Sequence, residues 1–261
     1  MINIGGLLRF SLLDYPGKIS AVIFTQGCSL RCVYCHRPDL QNPNITNGTK
    51  FEDIIKFLDT RAGLLEGVVF SGGEPLLQKN LYEAIEIVKN MGFSIGLHTS
   101  GCLYDSFIKV LPMVDWVGFD IKQTFGKYSS ITQIQNSEIQ IEKSFKALVN
   151  TNNLNRNCNI NDGKSCIGIN KYIKQRFENY NCVKKTEQAN CVRYEIRTTV
   201  DTRYISYEDL IKTAKYLVQN GVEEWTLQKC IIRSNKGDIN IPFLTEEQLI
   251  ELKKYLKINV R

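Results

Sequence analysis

The chain has 261 residues, 43% of them apolar and 23% charged, with a formal net charge of +6. A chain of that length buries one sizeable core, and single α/β barrels of this size are common. The modest charge gives no reason to expect a nucleic-acid-coating surface, and no window approaches the ~18 consecutive apolar residues of a membrane span, so neither is expected as a partner. The N-terminus, MINIGGLLRFSLLDYPGK, lacks the basic start, continuous apolar region and small-residue cleavage site of a signal peptide. A cytoplasmic location is expected.

Along the chain, short apolar runs alternate with amphipathic stretches. Leu7–Leu13 offers a strand ahead of the first repeat. Ser20–Thr25, Gly67–Phe70, Phe93–His98, Trp116–Ile121, Arg193–Val200 and Glu224–Gln228 then read as buried strands. Between them Phe51–Arg61, Leu81–Asn90, Tyr104–Leu111 and Ile139–Asn150 have helical spacing. Three capping boxes are expected: Thr49 with Glu52, Ser206 with Asp209, and Thr245 with Gln248. Strands alternating with helices imply parallel strands joined by right-handed crossovers. A closed eight-stranded barrel usually takes about 250 residues. Because the stretch 151–190 breaks the rhythm, an incomplete (β/α)6 barrel fits better. That stretch holds ten asparagines and seven Lys/Arg against three Asp/Glu. It reads as a polar insertion on a loop, with a short helix at Gly168–Phe177, inside a single domain spanning 1–261.

Nine cysteines are many for a reducing compartment, and their spacing is uneven. Cys28, Cys32 and Cys35 fall within eight residues, directly after the first strong strand. They therefore lie at a strand's C-terminal end, where parallel α/β folds keep their chemistry. Three thiolates spaced C-x3-C-x2-C on one loop can wrap a single cubane and leave one iron open. The other reading is a zinc loop with His36 as fourth ligand, although adjacency to Cys35 would strain a tetrahedral site. Cys158, Cys166, Cys182 and Cys191 lack the tight C-x2-C repeats of auxiliary clusters and read as scattered reduced thiols, with a structural metal as the alternative. Cys102 and Cys230 read as small buried hydrophobes.

The string C-x3-C-x-Tyr-C resembles the signature of the radical S-adenosylmethionine superfamily. That resemblance implies a radical-SAM type of barrel, one 4Fe–4S cluster on Cys28, Cys32 and Cys35, and S-adenosylmethionine chelated to the open iron. It also implies reductive cleavage of the sulfonium to a 5′-deoxyadenosyl radical, with Tyr34 near the adenine. Ser71-Gly72-Gly73-Glu74-Pro75, which begins its glycine pair 37 residues after Cys35, resembles the family's GGE motif. Gly72, Gly73 and Glu74 would then receive the methionine ammonium through carbonyls and the carboxylate. Leu97-His98-Thr99-Ser100-Gly101, Asp120-Ile121-Lys122 and Glu195-Ile196-Arg197 each end an expected strand. They resemble cofactor-holding positions of glycyl-radical activating enzymes. By that resemblance Asp120 and Arg197 contact the ribose, Lys122 the carboxylate, and Thr99 with Asp120 a monovalent cation. His98 stands where some activating enzymes have Asp, and a core histidine is its other reading. For Asp120, Lys122 and Arg197 the other reading is solvated residues at strand ends. Gln228 ends the sixth strand and is a further candidate.

Leu8–Lys18, Val22–Cys28, Gly96–Thr99, Val114–Gly118 and Tyr194–Val200 resemble, in particular, the activating proteins of anaerobic ribonucleoside-triphosphate reductases. The implied activity is hydrogen abstraction from a backbone glycine of that reductase, with a flavodoxin- or ferredoxin-type electron donor. Other radical enzymes on the same scaffold remain open: a pyruvate formate-lyase type activator or a 7-carboxy-7-deazaguanine synthase-like enzyme. A non-catalytic zinc module is the remaining alternative.

Overall fold

In the computed structural model the described residues are 1–46, 48–156, 192–232 and 238–261. Cys158, Cys166, Cys182, Cys191 and the expected helix Gly168–Phe177 lie outside them. The strands are β1 (Ile4–Ser11), β2 (Ser20–Thr25), β3 (Gly67–Gly72), β4 (Ser94–Thr99), β5 (Trp116–Asp120), β6 (Arg193–Val200) and β7 (Glu224–Lys229). A small antiparallel pair follows, β8 (Ile231–Ile232) with β9 (Ile239–Asn240), and then β10 (Lys257–Val260). All but that pair form one sheet in the order β1-β2-β3-β4-β5-β6-β7-β10. β1 runs antiparallel to β2, and every other pairing is parallel.

Spatial order equals sequence order, so each right-handed crossover turns the same way and lays its helix on the same face. The helices are α1 (Phe51–Asp59), α2 (Leu81–Asn90), α3 (Tyr104–Val110), α4 (Ser129–Thr132), α5 (Ser137–Arg156), α6 (Tyr207–Gln219) and α7 (Glu246–Leu252). Phe51, Ile54 and Leu58, Ala84 and Val88, Phe107, Phe145 and Leu148, and Leu210 and Leu217 join Ile23, Phe70, Leu97, Phe119, Ile196 and Leu227 in one buried cluster. Each such side chain contributes about 1.5–3 kcal/mol by leaving water. The alternate strand residues face the opposite side, where, among the described residues, Tyr15, Val22, Val69 and Trp116 form a second, small core with Phe24 against it. Tyr15 stacks on Trp116 with ring centroids 5.5 Å apart. A Cβ at Gly67 or Gly96 would press on the Tyr15 ring, at 2.9 and 3.2 Å. These residues fill the open face at the N-terminal ends of the strands and leave the C-terminal ends for chemistry.

The sheet is the expected parallel, incomplete barrel, but the strand expected at Leu7–Leu13 lies at Ile4–Ser11, the β8–β9 pair and α4 have no counterpart in the sequence pattern, and three further differences follow. A seventh parallel strand, β10, pairs with β7. Its four residues carry no apolar run, and polar cross-strand pairs support it instead: Lys257 Nζ lies 2.9 Å from Glu224 Oε1. The box expected at Thr49 and Glu52 does not form, because Lys50 is the N-cap of α1 and makes no side-chain cap bond. α5 continues to Arg156, six residues into the stretch read as insertion. Helix propagation adds one backbone bond per residue without needing an apolar face.

The two remaining capping boxes form as expected, Ser206 with Asp209 and Thr245 with Gln248. Asp209 also receives Lys127 Nζ at 2.7 Å, which ties the loop after β5 to the start of α6. Ser206→Ala is expected to cost about 1 kcal/mol. Asp209→Ala is expected to cost more, since it loses the box and the ion pair together. Urea melts of the two variants check this order.

Candidate active site

The cysteine loop leaves β2 and is clamped on both sides by backbone bonds. Gly27 N donates to Leu40 O at 2.8 Å and Cys28 N to Gln41 O at 3.0 Å. Arg31 N and Val33 N donate to Thr132 O and Ile131 O, at 2.9 and 3.0 Å, at the end of α4. Cys28, Cys32 and Cys35 are half-buried free thiols. Burial pushes the Cys28 thiol up to about 12, and the nearby Glu74 carboxylate adds to the rise. Burial raises Cys32 as well, with the Lys122 ammonium opposing it. The Leu30 amide points at Cys28 Sγ, 3.4 Å away. Among the described residues no three His, Cys, Asp or Glu side chains converge on a single-ion position, and His36 is exposed. A cubane does not require such convergence, because each thiolate takes a different iron. A clamped loop with an amide donor and a nearby ammonium suits that group.

The Gly72-Gly73-Glu74 turn ends β3 against the root of this loop. Gly72 has φ +116, and a Cβ there would overlap the Thr25 backbone; a Cβ at Gly73 would overlap the Gly27 carbonyl. The contact is made by backbone, with Gly73 N donating to Thr25 O at 3.0 Å and Glu74 N to Gly27 O at 2.8 Å. Glu74 is 2% exposed. Its Oε1 accepts from Thr99 Oγ1 at 2.6 Å and Leu76 N at 3.2 Å. Its Oε2 accepts from Ser100 Oγ at 2.6 Å and Ser100 N at 3.0 Å.

On the other side of the loop stands a charge cluster. Asp120 and Arg197 are register partners on β5 and β6, so both project from the face opposite the helices. Arg197 is 6% exposed and donates to Asp120 Oδ1 at 2.9 Å and, from Nη2, to Gly118 O at 3.2 Å. Gly118 leaves the space, since a Cβ there would sit 2.7 Å from the guanidinium. Lys122 Nζ lies 3.5 Å from Asp120 Oδ2. Burial works against the Asp120 carboxylate, but Arg197 and then Lys122 outweigh it and hold its pKa below the ordinary value. Burial likewise works against the Lys122 ammonium, and Asp120 reverses that and keeps it charged. The main chain at Lys122 is gripped by two tyrosines. Tyr34 Oη donates to Lys122 O at 3.4 Å, and Lys122 N donates to Tyr128 Oη at 3.1 Å. Tyr34 is buried and bridges the cysteine loop to this cluster.

The remaining candidates sit apart from one another. Thr99 is on the pleat side of Ile95 and Leu97, and its hydroxyl donates to Glu74 and accepts from Gly101 N at 2.9 Å. The structure does not bring it to Asp120. His98 is half-buried on the open face of the sheet. Its Nε2 reaches Asp14 O at 2.9 Å, its Nδ1 faces Ser71 Oγ at 3.4 Å, and its ring packs edge-on against Trp116. Gln228 Oε1 accepts from Thr199 Oγ1 at 3.4 Å on the same face as Arg197. Sequence reasoning missed Ser100, although a hydroxyl pair at a strand end was a signal. It also missed Tyr128, which lies in a stretch with no periodicity.

Burial, with Arg197 adding to it, pushes His98 down to about 3. An unfolded histidine titrates near 6.5, so the unfolded chain binds the proton first. Stability therefore falls as pH drops from about 6.5 toward 3, by up to ~1.4 kcal/mol per unit from this group. In urea melts between pH 7.5 and 5.5, His98→Gln should flatten that slope, whatever its cost at neutral pH.

Residues 22–159 match the sequence profile of the Radical SAM superfamily. A Methanocaldococcus jannaschii protein named for glycyl-radical enzyme activation is 30% identical over 149 residues, 56% of this chain and 61% of that one. The pyruvate formate-lyase-activating enzyme of Clostridium pasteurianum is 36% identical over 130 residues, 47% of this chain and 53% of the relative. The chain thus spans little more than half the length of the curated relatives it matches. Among solved structures, Streptococcus suis SuiB bound to S-adenosylmethionine aligns with 92% of this chain and 49% of its own, at TM-score 0.57 and 14% identity. Escherichia coli QueE aligns over 100% of this chain and 93% of its own, at TM-score 0.51 and 13% identity. At such identities the likeness is one of fold. With its profile match covering more than half of the sequence, the chain belongs to the radical S-adenosylmethionine superfamily, a membership that implies a 4Fe–4S cluster and S-adenosylmethionine as cofactors.

Proposed function

We propose that this protein is a glycyl-radical activating enzyme, with an anaerobic ribonucleoside-triphosphate reductase as its target. The observation that carries the site reading is the Tyr34 bridge. One buried side chain joins the three-thiol loop to the Lys122–Asp120–Arg197 cluster, so cluster ligands and charged groups face one another at the strand ends. Cys28, Cys32 and Cys35 hold the cluster. Lys122 presents its ammonium to the methionine carboxylate, Asp120 and Arg197 face the ribose, and Tyr34 lies along the adenine. Gly72 and Gly73 offer backbone to the methionine ammonium, with the Glu74 charge behind them. When bound, the cluster supplies the electron that cleaves the sulfonium and yields a 5′-deoxyadenosyl radical.

The relatives named for glycyl-radical activation support a protein glycine as the hydrogen donor. The likeness of residues 8–18 and of the strand ends to reductase activators favours the reductase as target. A flavodoxin- or ferredoxin-type protein would supply the electron. A second reading, a pyruvate formate-lyase type activator, is favoured by the names of several relatives.

The test is anaerobic. Reconstituted, reduced protein with S-adenosylmethionine should raise a glycyl EPR doublet on the reductase, and Cys32→Ser should abolish it. A doublet on formate lyase alone would select the second reading; none on either would refute activation of both. Lys122→Met is expected to weaken S-adenosylmethionine binding by ~10–100-fold, the scale of one lost charged hydrogen bond, read by calorimetry.

A further inference from the structure

We propose that Glu74 is a positioning residue that fixes the cysteine loop against the end of β4, and that its carboxylate is not itself a ligand of the cofactor. The proposal deepens the reading of this site as a cluster and S-adenosylmethionine centre, and it rests on that reading only for its second measurement.

The carboxylate is already full. An ionised carboxylate offers about four lone-pair positions. Thr99 Oγ1 and Leu76 N take Oε1 at 2.6 and 3.2 Å, and Ser100 Oγ and Ser100 N take Oε2 at 2.6 and 3.0 Å. The Cys102 thiol adds a fifth, longer approach at 3.8 Å. An incoming ammonium would have to evict one of these donors inside a residue that is 2% exposed. A buried donor left without its acceptor is destabilising, so the existing donors hold their places.

The donors lead straight to the cysteine loop. Cys102 Sγ lies 3.1 Å from Ser29 Oγ, and Ser29 is the residue after Cys28. Glu74 N donates to Gly27 O, the residue before Cys28, at 2.8 Å. Two short paths therefore run from Glu74 to the two flanks of one cluster-binding thiol. A further path anchors the hub to α5, because Gly101 N donates to Thr99 Oγ1 at 2.9 Å while Ser144 Oγ donates to Gly101 O at 2.7 Å. The ends of β3 and β4 meet at this carboxylate, and α5 and the cysteine loop are joined to it through Thr99 with Gly101 and through Cys102, respectively. Its job is to hold Cys28 at a set distance from the turn after β4.

The test compares Thr99→Val, Thr99→Ser, the pair Thr99→Val with Ser100→Ala, and Glu74→Gln. The first measurement uses cluster-free protein and needs no cofactor: the alkylation rates of Cys28 and Cys35, read by mass spectrometry. The double variant, which keeps the Glu74 charge, should speed labelling of Cys28 by about ten-fold, the scale of one lost bond to a buried charge, with Cys35 little changed. Glu74→Gln should speed it at least as much, since it also removes the charge beside that thiol. Thr99→Ser keeps the hydroxyl and should label like wild type, whereas Thr99→Val should not. Equal acceleration of Cys28 and Cys35 would mean general loosening and would overturn the proposal. The second measurement is S-adenosylmethionine affinity and the EPR spectrum of the reduced cluster. The double variant should reproduce the weakened affinity and shifted spectrum of Glu74→Gln. If Glu74→Gln alone loses the cofactor while the double variant binds it normally and keeps Cys28 protected, Glu74 acts on the cofactor directly and the proposal falls. Should Glu74→Gln not fold, the Thr99→Val and Thr99→Ser pair decides. A wild-type chain that takes up no cluster would strike the cofactor reading and leave the alkylation comparison in force.

Discussion

Everything at the C-terminal face depends on two strand ends approaching closer than any side chain allows. Where β3 ends, Gly72 and Gly73 lie against Thr25 and Gly27 so tightly that a Cβ on either would overlap backbone atoms. The contact is therefore made by peptide groups, through the Gly73 and Glu74 amides. Peptide groups have no rotamers, so the root of the cysteine loop is set by the sheet register rather than by side-chain packing. Two successive glycines cost conformational entropy in the folded chain. The saturated Glu74 carboxylate immediately beyond them carries the constraint on to β4.

Electrostatics organises the other half of the face. Lys122 and Arg197 share one carboxylate, Asp120, so two cations are held by one anion in a largely buried setting. Buried ion pairs are poor sources of stability, since desolvation consumes most of the Coulomb gain. An unbalanced cation beside half-buried thiols makes sense when the site takes up groups that carry negative charge: thiolates on one side, a carboxylate on the other. Asp120 keeps both cations aimed and the Lys122 ammonium charged, and two tyrosines bond to the Lys122 main chain.

β2 to β7 were legible because each carries an apolar run buried on the helix face, and β6 falls on the expected residues Arg193–Val200, whereas β1, partly exposed, lies three residues ahead of its expected start. The boxes at Ser206 and Thr245 were legible because a capping box is a local event. The Thr49 box has the same letters, yet the chain enters α1 through Lys50, which spacing alone does not reveal. β10 was invisible because an edge strand of four residues is supported by cross-strand polar pairs that exist only after folding. The same holds in the site. Cys28, Glu74 and Asp120 stand in recognisable strings, whereas Ser100, Cys102 and Tyr128 matter only through partners 26, 28 and 6 positions away.

The open face also divides by strand. Beneath β2 to β5 it is lined by Val22, Phe24, Val69 and Trp116. Beneath β6 and β7 it carries Glu195, Arg197, Thr199, Thr226 and Gln228. Glu195 accepts from Thr226 Oγ1 at 2.6 Å and pairs with Arg261 at 3.0 Å. Arg197 and Thr226 are buried and the other three half-buried, and each is held by a polar partner on the same face. A substrate entering here meets an apolar wall and a pre-paired polar wall, with the charge cluster between them. The strings that resemble the family's motifs lie on the strand-end turns, at the edge of these walls.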